Sequence, residues 1–257
     1  MKYAQLIIGL LLGTALGGAV VVGTGQTGVA GGATDAESVK KIVREVIADE
    51  PKLILDSVQK FQVDAQRQKM AGANEALKDA DLRDKIFNDP NAPTVGPKDS
   101  KRVVAEFFDY NCGACKMMFK SIDAVLKKDP TTRVVFHEFP IFGPVSETNS
   151  KLGIAVSRLY ADKYFAFHTK MLTHEGKIDE KAALGIAKDL GMDTAKLKAE
   201  SQSKEVAEIL DNHRKLGEKL GVQGTPTMVF ENEIVPHGMS AEDLDARLSG
   251  KPAPAAN

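Results

Sequence analysis

The chain has only two cysteines, and both lie in one tetrapeptide, Cys112-Gly113-Ala114-Cys115. They stand where an apolar, β-rich run, Arg102–Tyr110 (RVVAEFFDY), gives way to a helix-forming run, Ala114–Lys128. This placement constrains the fold more than any other feature. Two cysteines cannot staple a loop-rich scaffold, so the chain must stand on its own core. A disulfide closing so short a loop would constrain the unfolded chain little. A zinc site wants two more ligands, and no second cysteine pair is present. A redox motif explains the position best. The N-terminus of a helix offers unpaired N–H groups and the positive end of its dipole, and both stabilise a thiolate. Cys112, the first and more exposed, is then the attacking thiol. Cys115, one turn on, resolves the mixed disulfide.

The sequence around the motif supplies the rest of a domain. Arg133–Phe142 (RVVFHEFPIF) reads as a second strand, so strand, helix and strand make a βαβ unit with a parallel pair. Apolar-faced helices follow over Ser146–Ala161, Lys163–Leu172, Asp179–Leu190 and Ser203–Leu220, the last two ending at Gly191 and Gly221. Short strands at Thr227–Phe230 and Glu233–Pro236 and a helix at Ala241–Leu248 close the domain. Thr225-Pro226 sits just before a strand, where a cis X-Pro turn is usually there for a reason. Glu106 lies inside the first apolar strand, six residues before Cys112, and alternation puts it beneath the helix that carries the cysteines. A buried acid there has a raised pKa and can exchange protons with Cys115, whereas on a strand edge it is a surface residue. The five histidines lack metal-ligand spacing, so neither a metal nor a cofactor is expected. With 34 Lys and Arg against 35 Asp and Glu, and no Trp, the chain offers neither charge nor stacking surface for nucleic acid.

Four segments are expected along the chain. Residues 1–33 join Lys2, an uncharged and mostly apolar run from Leu6 to Val22, and a small-residue stretch with a plausible cleavage site at Gly28-Val29-Ala30. That is the pattern of a secretory signal, or of an uncleaved anchor given Gly9, Gly13 and Gly17 at packed-helix spacing. Either way the rest is exported, to a compartment where disulfides persist. Residues 34–97 form a helical region. Val39, Ile42, Val43, Val46 and Ile47 make an amphipathic stripe after a cap at Asp35, and Pro51 breaks the helix. Ile54, Val58, Phe61 and Ala65 follow at heptad-like spacing, and their face packs either on its own domain or on copies of itself. Asn88–Pro97, with three prolines, reads as a linker. Residues 98–249 carry the chemistry, and 250–257 are a loose tail.

These motifs resemble the thioredoxin fold, and more narrowly the DsbA-like exported thiol–disulfide oxidoreductases. The residues that carry the resemblance are Glu106–Cys115 (EFFDYNCGAC), Glu138–Pro144 (EFPIFGP) and Gly224–Thr227 (GTPT). The helical extension before them is similar to that of the ScsC, or suppressor-of-copper-sensitivity, subgroup. The resemblance implies an α/β protein: a thioredoxin fold with an inserted helical subdomain, preceded by an N-terminal helical extension. It implies Cys112 as nucleophile, Cys115 as resolving thiol, Glu106 as buried acid, and Thr225 and Pro226 as a cis-proline loop facing the thiols. It also implies a homo-oligomer, with a trimer as the count. Strongly oxidising members carry Pro-His between the cysteines. Gly113-Ala114 cannot stabilise the thiolate as that His does, so a less oxidising centre is expected.

The function expected from all this is isomerisation or reduction of non-native disulfides in exported, periplasmic proteins, with a membrane reductase to keep Cys112 reduced. A dithiol oxidase of the same fold is the first alternative. The second is a copper-tolerance protein, since two soft thiolates suffice for linear Cu(I).

Overall fold

The computed structural model describes residues 36–251. The N-terminal targeting run, its cleavage site, the Asp35 cap and the tail from 252 onward lie outside the described residues. The chain divides into two compact units, residues 1–57 and 58–257.

In the first unit, α1 spans Ala36–Asp49. None of its residues is buried, and the stripe of Val39, Ile42, Val43, Val46 and Ile47 stands in solvent at about half exposure, 46–53%. Glu50 leaves the helix, and Pro51 opens α2, Pro51–Ala76, at a first-turn position where its missing N–H costs nothing.

The second unit is built on a five-stranded sheet of order β1-β3-β2-β4-β5. Its centre is the parallel pair of β2, Val103–Phe108, and β3, Arg133–Glu138. Both strands are rich in Val and Phe and buried on both faces, as parallel strands require. They are shorter than their apolar runs. β2 ends where Asp109 turns its carboxylate to loop N–H groups, and β3 ends one residue before Phe139, whose N–H still reaches the Phe108 carbonyl. The helix α4, Gly113–Lys128, connects them. β4, Thr227–Val229, runs antiparallel to β2, and β5, Ile234–Val235, antiparallel to β4. The last helix, α10, covers Ala241–Leu248.

Between β3 and β4 lies the helical insertion: α5 (Pro144–Leu159), α6 (Tyr164–Thr173), α7 (Glu180–Asp189), α8 (Thr194–Ser201) and α9 (Lys204–Lys219). The sequence pattern misses α8, because it buries only Leu197 and Ser201 and has no apolar stripe to read. No helix among the described residues is long and apolar enough to cross a membrane.

The stretch 77–95 also departs from the sequence reading, which places it in the extension and linker. A short helix, α3 (Ala80–Phe87), is capped by Asp79, whose Oδ1 accepts from the Leu82 N–H at 3.0 Å. Leu77, Leu82, Ile86, Phe87 and Ala92 pack with Ala105, Phe107, Val135 and Leu216 in one core cluster. Thr94–Val95 is β1, paired antiparallel with β3. The prolines at 90, 93 and 97 hide this strand, yet the Pro93 carbonyl accepts the N–H of Phe136 at 2.8 Å. Arg133 ties the segment down by donating to the carbonyls of Phe87 and Lys98.

Candidate functional site

Alternation along β2 sorts its side chains between two cores. Val104 and Phe108 face the cluster that holds Cys112, Cys115, Met118 and Phe119. Ala105 and Phe107 face the cluster of the 77–95 segment. Glu106 falls on the thiol side, opposite Phe136 on β3 and Met228 on β4. It is fully buried, and neither carboxylate oxygen has a hydrogen-bond partner. Burial, helped by the charge of Cys112, pushes its pKa well above the ordinary carboxylate range, so it is held as the neutral acid.

Cys112 is the N-cap of α4, with extended backbone angles. Its thiol donates to the Thr225 carbonyl at 3.2 Å, and the Thr225–Pro226 peptide bond is cis. The Thr225 hydroxyl has no other partner and is free to serve the sulfur once it ionises. Cys112 is pulled down to a pKa of about 5, chiefly because the Cys115 thiol donates to its sulfur. Burial opposes the shift, while the Thr225 side chain and the N–H groups of Cys115 and Ala114 add to it. This is the helix N-terminus acting as an anion cradle. Cys115 lies one turn along on the inner face, with no exposed surface. Its pKa is driven far up by burial, then by its bond to Cys112 and the charge of Glu106. One turn of helix thus holds a ready thiolate and a locked thiol. Met117, two residues past Cys115, is 70% exposed, and Phe142, whose N–H faces the Asp109 carboxylate, is 53% exposed.

The structure therefore brings together Cys112, Cys115, Glu106, Thr225 and Pro226, the residues singled out from the sequence. It adds groups that the sequence reading passes over. Glu138, also fully buried, stands on the same face of the sheet as Glu106, opposite Phe108, with the Ser150 and Tyr110 hydroxyls to stabilise its charge. A Cβ at Gly153 would sit 2.4 Å from Glu138 Oε1 and 2.8 Å from the Tyr110 hydroxyl, so only glycine leaves room there. The signal is visible in hindsight as an acid inside each apolar strand, RVVAEFF and RVVFHEF. Asp109 is a second omission. Its carboxylate accepts from the N–H groups of Asn111 and Ile141 and the Ser146 hydroxyl, each at 2.8 Å, and so pins the turn before Cys112.

The histidines need a correction. Scattered in sequence, His137 and His213 converge with Asp89, each offering a ligand atom within 4.8 Å of the others. Their hydrogen bonds argue against a cation. His137 Nε2 donates to the Ile86 carbonyl at 2.8 Å, leaving Nδ1 as acceptor. His213 Nδ1 accepts the Glu138 N–H at 3.2 Å, which fixes the ring proton on Nε2, the atom that would have to bind the metal. Moving that proton to Nδ1 would set it against the Glu138 N–H. The three residues are polar fastenings of the core.

Residues 88–249 match the family model described as Thioredoxin. The crystal structure of a thioredoxin-like oxidoreductase from Silicibacter pomeroyi DSS-3 is similar at 34% identity and a TM-score of 0.60, over 65% of this chain and 94% of that one. The catalytic domain of Proteus mirabilis ScsC is similar at 25% identity and a TM-score of 0.61, over 69% and 99%. Among curated proteins, disulfide bond formation protein D of Bacillus subtilis (strain 168) is 24% identical over 178 residues, which are 62% of this chain and 78% of that protein.

Proposed function

Because the chain belongs to the thioredoxin family, in its DsbA-like branch, we propose that it is an exported thiol–disulfide oxidoreductase that isomerises or reduces non-native disulfides. The observation that carries this reading is the placement of two thiols within one helical turn: Cys112 caps the helix 3.2 Å from the Thr225 carbonyl and is pulled down to about 5, while Cys115 is buried behind it and pushed up. At neutral pH the Cys112 thiolate attacks a client disulfide, forming a mixed disulfide and expelling the client's other sulfur as thiolate. The client chain lies along the Thr225–Pro226 loop and bonds to its backbone as an added strand. The mixed disulfide then either rearranges within the client or is attacked by Cys115. That attack needs the Cys115 proton removed, and Glu106, whose charge acts on Cys115, exchanges protons with it through its ionised form, which gains population once Cys112 gives up its charge in the mixed disulfide.

A thiolate near 5 lies between the ~7 of reducing thioredoxin and the ~3.5 of the strongest dithiol oxidant. It supports a centre of middle potential, which a membrane reductase would keep reduced. Cu(I) carriage would use both sulfurs as ligands, and the burial of Cys115 adds to the cost of ionising it. Export, to a periplasm, rests on the basic start and apolar run of the first 33 residues. The bare apolar stripe of α1 supports self-association, with a trimer as the count that the resemblance to ScsC implies. Several thiol sites around one client would raise their effective concentration.

The test is reactivation of scrambled ribonuclease by the reduced full chain, beside a variant carrying Ile42→Glu and Val46→Glu. Reactivation by the parent and weaker reactivation by a now monomeric variant is the expected result. Failure of both, with lag-free oxidation of a dithiol peptide, would make the protein an oxidase.

A further inference from the structure

The two residues that bracket the Cys-Gly-Ala-Cys motif both reach the same distant segment. Asn111, directly before Cys112, makes a two-way bond with the backbone of Ile178: its Oδ1 accepts the N–H at 2.8 Å and its Nδ2 donates to the carbonyl at 3.1 Å. Lys116, directly after Cys115, sends its ammonium to the carbonyls of His174 at 2.7 Å and Gly176 at 2.6 Å. The segment 174–178 joins α6 to α7 in the helical insertion. Between these anchors the chain is bare, since Glu175, Gly176 and Lys177 are exposed while Ile178 is buried.

Such bonds have a specific consequence. A loop without regular secondary structure has backbone groups that only side chains or water can satisfy. Here one amide and one ammonium take three of its carbonyls and an N–H, and both come from the residues that flank the thiols. A charged donor shared between two carbonyls is among the stronger hydrogen-bonding arrangements available to a side chain. The insertion is thus fastened to the redox turn, and the exposed stretch 175–177 becomes a fixed edge beside it.

We propose that Asn111 and Lys116 are positioning residues that hold segment 174–178 as one wall of the surface where a client polypeptide docks beside Cys112. This rests on the oxidoreductase reading above and deepens it. The clamp acts on client binding and leaves the intrinsic reactivity of the thiol alone. The occupant is an extended polypeptide that lies between the Thr225–Pro226 loop and the 175–177 edge.

The test uses the full chain with Lys116→Met, which keeps the aliphatic stem, Lys116→Arg, which keeps two donors, and Asn111→Ala. Three measurements are made: amide hydrogen exchange over 173–178, KM and kcat on a disulfide-bonded client polypeptide, and the pH midpoint for alkylation of Cys112 by iodoacetamide. We expect exchange over 173–178 to quicken ~10-fold in Lys116→Met and Asn111→Ala, and KM to rise ~5-fold with a smaller change in kcat. The alkylation midpoint should hold, and Lys116→Arg should restore much of the KM. Faster exchange with an unmoved KM would make the clamp a structural fastening only and overturn the proposal. Unchanged exchange, or a shifted alkylation midpoint, would overturn it too. Should Asn111→Ala fail to fold, Lys116→Met at a half-buried position decides the matter. A parent protein inactive on any disulfide client would sink the functional reading and the client wall with it. The exchange data would still report whether the clamp exists.

Discussion

The two faces of the β2–β3 pair both bury polar groups, but they satisfy them differently. On the face toward the 77–95 segment, His137 donates to the Ile86 carbonyl and His213 receives the Glu138 N–H. Each ring has one nitrogen engaged, and each bond ties a separate element to the sheet. On the thiol face, Glu106 is equally buried, yet neither of its carboxylate oxygens has a partner. Burying an unpaired carboxyl costs stability, and the usual escape is to keep the proton. The histidine face spends its polar groups on holding the fold together. The thiol face carries in Glu106 a group that weakens the fold but sits where a proton must move.

Substitutions on the two faces should therefore behave differently. The largest effect belongs to Cys112→Ser, which should lower disulfide exchange by ~10³-fold or more, because the nucleophile is gone. Cys115→Ala should leave attack intact and trap the client as a covalent adduct, seen by mass and released by reductant. Glu106→Gln should slow release of the mixed disulfide by ~10-fold or more while leaving the first attack nearly untouched. Glu106→Leu, for the same reason, should raise thermal stability as it lowers turnover. On the other face, His213→Leu should cost about 1–3 kcal/mol, since the buried Glu138 N–H loses its acceptor. The Cys112 alkylation midpoint should stay in place in that variant. A stability loss from Glu106→Leu, or an alkylation shift from His213→Leu, would break the contrast.

A smaller effect follows from pH. The folded Cys112 pKa of about 5 lies below its ordinary value. Its contribution to the stability of the reduced protein is complete above the unfolded pKa and is lost as pH falls through 5. Thermal denaturation of reduced protein should show this loss, and Cys112→Ser should lack it.

Much of the thiol face was legible in the sequence because its signals are local. The motif, the strand before it and Glu106 lie within the thirteen residues from Val103 to Cys115, and Thr225-Pro226 announces a turn by composition. What was missed depends on partners far along the chain. Lys116 meets His174 across 58 positions, and His137 meets His213 only when β3 and α9 pack together. Neither periodicity nor spacing records such meetings. The segment 77–95 misled for a different reason. Its prolines are real turn signals, but a two-residue strand needs no pattern of its own when β3 offers a free edge. The α1 stripe is the converse: its helix was plain from spacing, and its exposure is something spacing cannot show.

The account rests on two thiols that share a turn and titrate far apart. The direct measurement is the ultraviolet absorbance of thiolate in the reduced full chain, followed against pH beside Cys112→Ser. One step near 5 that vanishes in the serine variant, with Cys115 silent through the ordinary cysteine range of ~8.5, is the predicted result. Two steps near the ordinary value, or a low step that survives in Cys112→Ser, would contradict it.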